Sequence, residues 1–271
     1  MKRIFSVFFA LLFVVICFSS CNFNTKFKDV NNDFSQLEAN KEKYVWSYDG
    51  DLFYNHLHIL SKDKGEANNA MLLRDGKLYI SLAKKNGLFD FSELIYSYDI
   101  SSGELKLVFE KSNLKTQPIS YVEGNRIYYF YCYTITADPA SKVCEYYDVI
   151  TGDSGTDSSD KEFLTLSVNN LGGYFRIYTP TNEAHYIDDE FLSSTEYYDL
   201  LKKYNFVADK IFTSNNNVVL SYRATIDKKI NTSYSYAIFE YKVDEKELVF
   251  LDLYNTKVLS DNPEYKIFYV E

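Results

Sequence analysis

Residues 98–104 (YDISSGE), 147–153 (YDVITGD) and 241–247 (YKVDEKE) align with one another without gaps. In each copy an aromatic strand end leads into a short polar turn, and an apolar run or a polar loop leading to one follows. A related tetrapeptide occurs earlier in the chain, at residues 46–49 (WSYD). Its Asp49 stands 50 residues before Asp99, and Asp99 stands 49 residues before Asp148. Each copy therefore predicts a β-hairpin with a tight turn, repeated along the chain.

A second predicted hairpin alternates with the first. Its copies cover residues 71–82, 119–133, 164–178 and 210–223, with turns centred near residues 76, 124, 172 and 216. The repeating unit is thus about 44 to 48 residues long and contains four strands. That is the length of one blade of a β-propeller.

The two ends of the repeat region each lack a partner hairpin. Residues 44–60 read as a hairpin with a turn at 49–50, and residues 257–271 as a hairpin with a turn at 261–263. Together they complete one blade, and a shared blade closes a propeller ring and removes exposed sheet edges. The prediction is an all-β, five-bladed β-propeller closed by a composite N- and C-terminal blade. A pair of packed β-sheets is the alternative fold.

One blade breaks the pattern. Residues 193–196 (SSTE) have the spacing of a helix capping box, and apolar or aromatic residues then recur at helical intervals up to Tyr204. We expect one short helix from about residue 194 to 204, placed at the outer edge of that blade.

Composition and charge narrow the functional classes. The chain has 271 residues, of which 46% are apolar, with 26 Tyr, 21 Phe and 4 Pro, a composition that favours a folded β protein. Its net charge is -9, and without the first twenty residues it is 27 minus 38, or -11. Because binding to nucleic acid requires a basic surface, we expect no nucleic-acid partner.

The N-terminus has the features of a secretory signal. Lys2 and Arg3 precede an apolar run over residues 4–18, which is too short to cross a bilayer comfortably. The following residues 18–21 (FSSC) resemble the lipobox of bacterial lipoproteins, although Phe18 replaces the usual leucine. The resemblance implies that Cys21 is lipidated and anchors the protein to the cell membrane or outer membrane, outside the cytoplasm. Ordinary signal cleavage without a lipid is the alternative.

Three segments follow from these features. Residues 1–20 are the predicted lipoprotein signal peptide, residues 21–43 a polar, flexible tether, and residues 44–271 the propeller domain. The hairpin sequence at 98–104 resembles those of bacterial propeller lipoproteins and quinoprotein-type propellers. The resemblance implies a fold and carries no catalytic residue with it.

Two cysteines remain within the predicted domain. Cys132 and Cys144 stand symmetrically about residues 138–139, at the two edges of a predicted hairpin loop. This placement predicts a disulfide across the two strands outside the cytoplasm. Two unpaired, small hydrophobic side chains are the alternative.

The predicted binding residues come from loops that a propeller places on one face. These are the loops that join second strands to third strands and one blade to the next, and they combine aromatic area with charge. The candidates are Phe89, Asp90, Phe91, Asp138, Asp227, Lys228 and Lys229.

Other candidate chemistry is sparse. His56 and His58 alternate on one predicted strand and suit a metal pair, but packing or surface roles explain them better without a third ligand. His185 stands near three acids that a helix N-terminus explains equally well. Asp153, Asp157 and Asp160 resemble a calcium loop but lack the ordered ligands of an EF-hand. We therefore expect neither cofactor nor metal.

A non-enzymatic binding module is the function that these features favour, with a protein as the expected partner. A carbohydrate-binding lipoprotein is one alternative. A five-bladed glycoside hydrolase is another, and it requires two carboxylates roughly 5 to 10 Å apart. Asp90, Asp138 and Asp227 are the acids that could converge in such a site.

Overall fold

The computed structural model of the chain describes residues 25–134, 142–157, 165–169, 173–179, 181–214, 217–225, 232–258 and 264–271. Strands dominate this described part, and its three α-helices are short. The mostly β class expected from the composition is therefore confirmed.

In the first half of the chain, the described residues form one α-helix and eleven strands. The helix is α1 (Thr25–Phe34), followed by a 3₁₀ turn at Lys41–Lys43. The first seven strands are β1 (Tyr44–Tyr48), β2 (Asp51–Tyr54), β3 (Leu57–Leu60), β4 (Glu66–Arg74), β5 (Lys77–Gly87), β6 (Asp90–Asp99) and β7 (Leu105–Leu114). The next four are β8 (Ile119–Glu123), β9 (Arg126–Cys132), β10 (Lys142–Asp148) and β11 (Ser154–Asp157).

The second half contains eight strands and two helices. Three strands come first: β12 (Thr165–Asn169), β13 (Tyr174–Tyr178) and β14 (Ala184–Ile187). The helices α2 (Asp189–Ser193) and α3 (Tyr198–Lys203) follow. The remaining strands are β15 (Val207–Ser214), β16 (Asn217–Thr225), β17 (Thr232–Lys242), β18 (Glu247–Val258) and β19 (Tyr265–Tyr269).

The described strands form five antiparallel sheets. Their strand orders are β19-β1-β2-β3, β4-β5-β6-β7, β8-β9-β10-β11, β12-β13-β14 and β15-β16-β17-β18. The first sheet joins the two ends of the chain, because Trp46 on β1 pairs with Ile267 on β19. The shared sheet predicted from the sequence is therefore present, and five sheets replace the alternative of two.

Several of the sheets contact one another through their first strands. The first strand of one sheet packs against the first strand of another in four places: β19 against β4, β4 against β8, β12 against β15, and β15 against β19. The C-terminus strengthens one of these junctions, since the Glu271 carbonyl accepts a hydrogen bond from the Leu73 amide at 2.9 Å. This inward position of the first strands is a propeller-like arrangement.

The repeated hairpin has the same turn geometry in two sheets. Asp99 Oδ1 accepts hydrogen bonds from the Ser101 and Ser102 amides at 3.0 and 2.9 Å, and Asp148 Oδ1 accepts two equivalent bonds in the next sheet. The glycine of each copy, Gly103 and Gly152, has a positive φ of 73° and 78°. The sequence repeat is therefore a structural repeat, and its turns follow from aspartate and glycine chemistry.

The composite sheet differs from its predicted division. Residues 52–60 form two strands, β2 and β3, because the chain turns at Asn55 and His56, both of which have positive φ. Lys257 and Val258 belong to β18 and pair with β17, so the predicted C-terminal hairpin is wrong. The N-terminus supplies three strands and the C-terminus one.

The predicted helix over residues 194–204 is also wrong in its extent. Two short helices, α2 and α3, replace it, and the helix cap is Asp188, whose side chain accepts a hydrogen bond from the Phe191 amide at 3.0 Å. The Ser194 and Thr195 hydroxyls instead donate backwards to carbonyl oxygens of the preceding turn and end α2. The insertion does follow the three-stranded sheet β12-β13-β14, at the predicted blade.

Part of the predicted tether is packed against the domain. Val30 and Phe34 of α1 are buried, and the Phe34 ring lies 5.5 Å from the rings of both Phe206 and Phe250. The Asn255 amide also donates a hydrogen bond to Asn31 Oδ1 at 2.5 Å. Helix α1 is thus held by the fifth sheet and the segment that follows α3.

Candidate functional site at the loop face

The loop face is the end of the sheets where second strands turn into third strands and where one sheet connects to the next. The turns and connections at 49–50, 61–65, 88–89 and 115–118 lie there. A cleft of about 920 Å³ opens at this face, between the composite sheet, the second sheet and the start of β15. The loop face is the surface that the sequence predicted for binding.

Two ion pairs cross the cleft wall. Lys62 Nζ lies 3.4 Å from Asp49 Oδ2, and Lys266 Nζ lies 2.7 Å from Glu66 Oε1. The four side chains are more than half exposed, so each pair contributes little free energy. Their effect is to neutralise four of the charged groups that line the cleft.

Lys210 is the half-buried cation of the cleft. Its Nζ lies 3.8 Å above the centre of the Tyr265 ring and 3.5 Å from the Tyr265 carbonyl oxygen. Burial lowers the pKa of the Lys210 ammonium, an effect that the nearby carboxylates of Asp209 and Glu264 oppose and Arg223 reinforces. Lys210 is thus a desolvated cation that faces an open cleft.

A polar network beneath the cleft fixes the Tyr265 ring. The Tyr265 hydroxyl donates to Asp209, and it lies 2.9 Å from Ser221 Oγ. Arg223 Nε lies 3.3 Å from Asp209 Oδ1. A β-bulge between Ala208 and Lys210 takes Asp209 out of the regular pairing. The network positions the aromatic surface on which Lys210 rests.

Exposed apolar side chains flank the cleft on the loop face. Leu88 and Phe89, at the tip of the β5–β6 hairpin, are 75% and 46% exposed, and Tyr133 at the end of β9 is 66% exposed. Phe91 lines the cleft and packs on a cluster that includes Tyr129. The rim therefore combines aromatic area with charge, as binding surfaces do.

The predicted binding residues divide into two groups. Phe89, Asp90 and Phe91 lie together at the β5–β6 turn, and Asp90 has one buried carboxylate oxygen that makes no hydrogen bond within the described residues. The others lie outside the described residues: Asp138, Asp227, Lys228 and Lys229. Cys21 also lies outside them. The convergence of three aspartates and the lipid anchor therefore stay predictions.

The two neighbouring histidines are not a pair. His56 lies in the β2–β3 turn, where its Nε2 is 2.6 Å from Asp252 Oδ2 and its ring stacks on Tyr254. His58 lies on β3, and its Nε2 is 3.4 Å from Asp51 Oδ2. The turn sends the two rings to different acids, so the predicted alternation on one strand is wrong.

The third histidine is buried away from the predicted acidic cluster. His185 Nδ1 lies 2.9 Å from the Tyr241 hydroxyl, and its Nε2 lies 3.3 Å from Glu183 Oε1, outside hydrogen-bond geometry. Asp188, instead, caps α2.

The segment with spaced aspartates is partly a strand. Residues 154–157 form β11, which begins directly after Asp153 and ends at Asp157, and Asp160 lies outside the described residues.

Cys132 and Cys144 are thiols and do not form the predicted disulfide. Cys132 stands opposite Lys142, and Cys144 stands opposite Phe130, so the two cysteines are offset by two residues. Diagonal neighbours in a sheet are about 7 to 8 Å apart, beyond the usual Cα separation of a disulfide. The register of β9 and β10 explains the difference.

Sequence reasoning missed a buried acid in the second sheet. Glu93 is fully buried on β6 and accepts hydrogen bonds from Ser81 Oγ at 2.5 Å and Asn68 Nδ2 at 2.9 Å. Burial raises the pKa of Glu93 to about 8, although the hydrogen bonds from Ser81, Ser120 and Asn68 lower it. An acid inside the apolar run at residues 91–98 (FSELIYSY) is the signal that could have marked it.

Comparisons with known proteins add little to this description. No family model matches the chain, and no curated protein matches it. Among solved structures, it is similar to the β-propeller domain of the trilobed protease from Pyrococcus furiosus, which is described as having an open velcro topology. The identity is 12%, the match covers 74% of this chain and 69% of that chain, and the TM-score is 0.23. Because this TM-score is low, the propeller-like arrangement is inferred from the sheet topology and not from this similarity.

Within the described residues, no helix combines the length and the apolar character needed to span a bilayer.

Proposed function

We propose that this protein is a lipid-anchored, extracytoplasmic binding module that presents the loop face of a five-bladed β-propeller to a protein partner. In this proposal each sheet is one blade, and the sheet that joins β19 to β1 is the blade that closes the ring. The module acts by binding and not by catalysis.

The cleft at the loop face is the observation that carries the proposal. It is open to solvent, has charged and aromatic walls, and is flanked by the exposed side chains of Leu88 and Phe89. Apolar area next to a polar rim is typical of a protein-binding surface. The opposite face of the second and third sheets contrasts with this cleft, because the chain there forms tight turns, at 75–76, 100–103, 124–125 and 149–152.

The position of α1 refines the proposed anchor. Helix α1 begins at Thr25, only four residues after Cys21. A fully extended chain spans about 3.5 Å per residue, so a lipid on Cys21 would hold the start of the helix within about 14 Å of the bilayer surface. The proposed module therefore works close to the membrane.

Membrane fractionation tests the anchor. We expect the full-length chain to sediment with membranes and the Cys21→Ala variant to lose its acyl chains and its stable attachment. Recovery of Cys21→Ala in the membrane fraction, with its signal peptide cleaved, would contradict the anchor.

Site-specific crosslinking tests the binding face. A photoreactive benzoylphenylalanine replaces Phe89 on the loop face, and the matched control replaces Ile150, which is 51% exposed on the opposite face. We expect one discrete protein adduct from position 89 and none from position 150, in the membranes where the protein resides. Equal adducts from both positions, or no adduct from position 89, would contradict a loop-face partner.

A further inference from the structure

The charges that line the cleft do not balance. Five lysines and four carboxylates line it. Lys62 and Lys266 pair with Asp49 and Glu66, and Asp63 lies 3.6 Å from Lys64. Three lysines, Lys84, Lys85 and Lys210, then face one remaining acid, Glu264. The lining therefore has one more lysine than carboxylates, on a chain whose net charge is -9.

Lys84 and Lys85 lie near the end of β5, and both are exposed. They pair across the strands with Ser92 and Phe91, and the neighbouring Asn86 amide donates a hydrogen bond to Ser92 Oγ at 2.8 Å. The register of the two strands shifts between Lys85 and Gly87. Two exposed cations thus lie beside this irregularity, next to the apolar hairpin tip at residues 88–89.

Lys210 lies in the same cleft but on β15, and its environment is less favourable for its charge. The Tyr265 ring offers a cation–π contact, which compensates part of the desolvation. Because burial still lowers the Lys210 pKa, an anion entering the cleft would gain from pairing with this ammonium. Lys210 therefore favours a ligand that carries a negative charge into the cleft.

We propose that the cleft binds a short acidic peptide segment of a partner protein. Its carboxylates would pair with Lys84, Lys85 and Lys210, and one apolar side chain would pack on Leu88 and Phe89. This inference rests on the proposed function and names the chemistry of the partner. A protein segment fits better than a long polyanion, because the overall negative charge repels polyanions while one short acidic stretch meets only the local excess of lysines.

Fluorescence anisotropy on the full-length chain in detergent tests the inference. The probe is a fluorescein-labelled peptide of six glutamates around one phenylalanine, and the control peptide has glutamines in place of the glutamates. We expect the acidic peptide alone to bind, with an affinity that falls between 50 and 300 mM salt because the contacts are partly exposed ion pairs.

Three variants and one matched control assign the site. We expect the double variant Lys84→Gln/Lys85→Gln, and separately Lys210→Gln, to weaken peptide binding by about tenfold. Lys210→Arg, which keeps the charge, should retain most of the affinity. The control is Lys77→Gln, which removes an exposed lysine from the opposite end of the same strand β5. Equal thermal unfolding midpoints would establish that each variant is folded.

Other outcomes would overturn the inference. Equal affinity for the glutamine peptide, or an unchanged affinity in the lysine variants, would exclude an acidic-peptide site. Displacement of the peptide by inorganic phosphate at constant ionic strength would indicate a simple anion site, and binding only to micelles doped with phosphatidylglycerol would indicate a lipid headgroup. If crosslinking from position 89 still captured a protein, the proposed binding function would stand and only the acidic ligand would fail.

Discussion

Two buried carboxyl groups, Glu93 and Asp252, lie at two different seams between sheets, and their surroundings differ. Glu93 lies between the second and third sheets and accepts hydrogen bonds from neutral groups: the Asn68 amide and the Ser81 and Ser120 hydroxyls. We call this the serine seam.

Asp252 lies between the fifth sheet and the composite sheet. Its Oδ2 accepts a hydrogen bond from the Tyr44 hydroxyl at 2.7 Å and lies 2.6 Å from His56 Nε2, while Lys41 Nζ is 3.4 Å from its Oδ1. Next to it, the Trp46 ring stacks on Tyr254 and Tyr265 at 4.0 and 4.9 Å. We call this the closing seam.

The difference follows from what each seam must join. Across the serine seam, the hydrogen bonds between the second and third sheets join residues that are 27 and 52 apart in sequence. The closing seam joins residues 208 apart, at the two ends of the domain, and it uses basic side chains and stacked rings. Sheets adjacent in sequence can thus be joined by neutral hydrogen bonds. The sheets at the two ends of this domain are instead joined by basic side chains that pair with Asp252 and by stacked aromatic rings.

The largest expected effect is the loss of the Trp46 ring from the closing seam. Trp46→Ala should lower the free energy of unfolding by about 3 to 5 kcal/mol, because it leaves a cavity beside the Tyr254 and Tyr265 rings. Urea unfolding followed by tyrosine fluorescence measures this, with Leu88→Ala on an exposed site as the control. A loss no larger than that of Leu88→Ala would remove the distinction between the seams.

A smaller effect is expected from the carboxylate of the closing seam. Asp252→Asn should cost about 2 kcal/mol, because one amide oxygen cannot accept from Tyr44, His56 and Lys41 together. The matched control is Asp51→Asn, which changes a more exposed acid facing His58. If both variants unfolded at the same urea concentration, Asp252 would have no special role in closure.

The contribution of Glu93 to the free energy of unfolding should depend on pH, and replacing Glu93 with a neutral side chain should change that free energy little. Its pKa in the folded protein is about 8, above the usual value near 4.5, so the folded state binds the extra proton between these two pH values. The contribution of Glu93 to stability should therefore be greatest below pH 4.5 and fall as the pH rises towards 8.

Glu93→Gln should remove that pH-dependent loss and cost less than about 1 kcal/mol at pH 5, because the side chain there is already neutral. Thermal unfolding of both proteins from pH 4.5 to 8.5 tests this, with Glu196→Gln on the helical insertion as the control. Parallel pH profiles for Glu93→Gln and the unsubstituted protein would refute a neutral serine seam.

The smallest expected effect is at the edge of the closing seam. Lys41 is about 41% exposed, so Lys41→Gln should lower the free energy of unfolding by less than about 1 kcal/mol. The loss should decrease further in 0.5 M salt, which screens an exposed ion pair. A loss equal to that of Asp252→Asn would mean that the seam depends on Lys41 and not on Tyr44 and His56.

The sequence predicted the parts of the fold that local chemistry decides. The turns of residues 98–104 and 147–153 require an aspartate that accepts amide hydrogen bonds and a glycine with positive φ, and both signals are visible in the sequence. The hairpin that carries Phe89, Asp90 and Phe91 could be placed because it joins two recognisable strands, but only residues 88–89 form its turn, and Asp90 and Phe91 belong to β6 and not to a loop.

The errors came where two local signals competed. Residues 52–60 look like one strand, but the turn at Asn55 and His56 divides it, and a turn that adopts positive φ without glycine leaves only a weak signal. Residues 193–196 look like a helix cap, but the Ser194 and Thr195 hydroxyls donate to carbonyl oxygens of the turn before them. Cys132 and Cys144 look symmetrical in sequence, yet strand register offsets them.

By itself, the sequence determined the repeat and the mostly β class, because hairpins depend on residues that are close along the chain. It also indicated the union of the two chain ends in one sheet, because each end of the repeat region lacks a partner hairpin. Only the tertiary structure decided that Lys84, Lys85 and Lys210 line one cleft and that Glu93 lies among serines from neighbouring strands. Those groupings join residues from different sheets or strands. Their burial and pairing depend on packing between strands far apart in sequence, which no local pattern encodes.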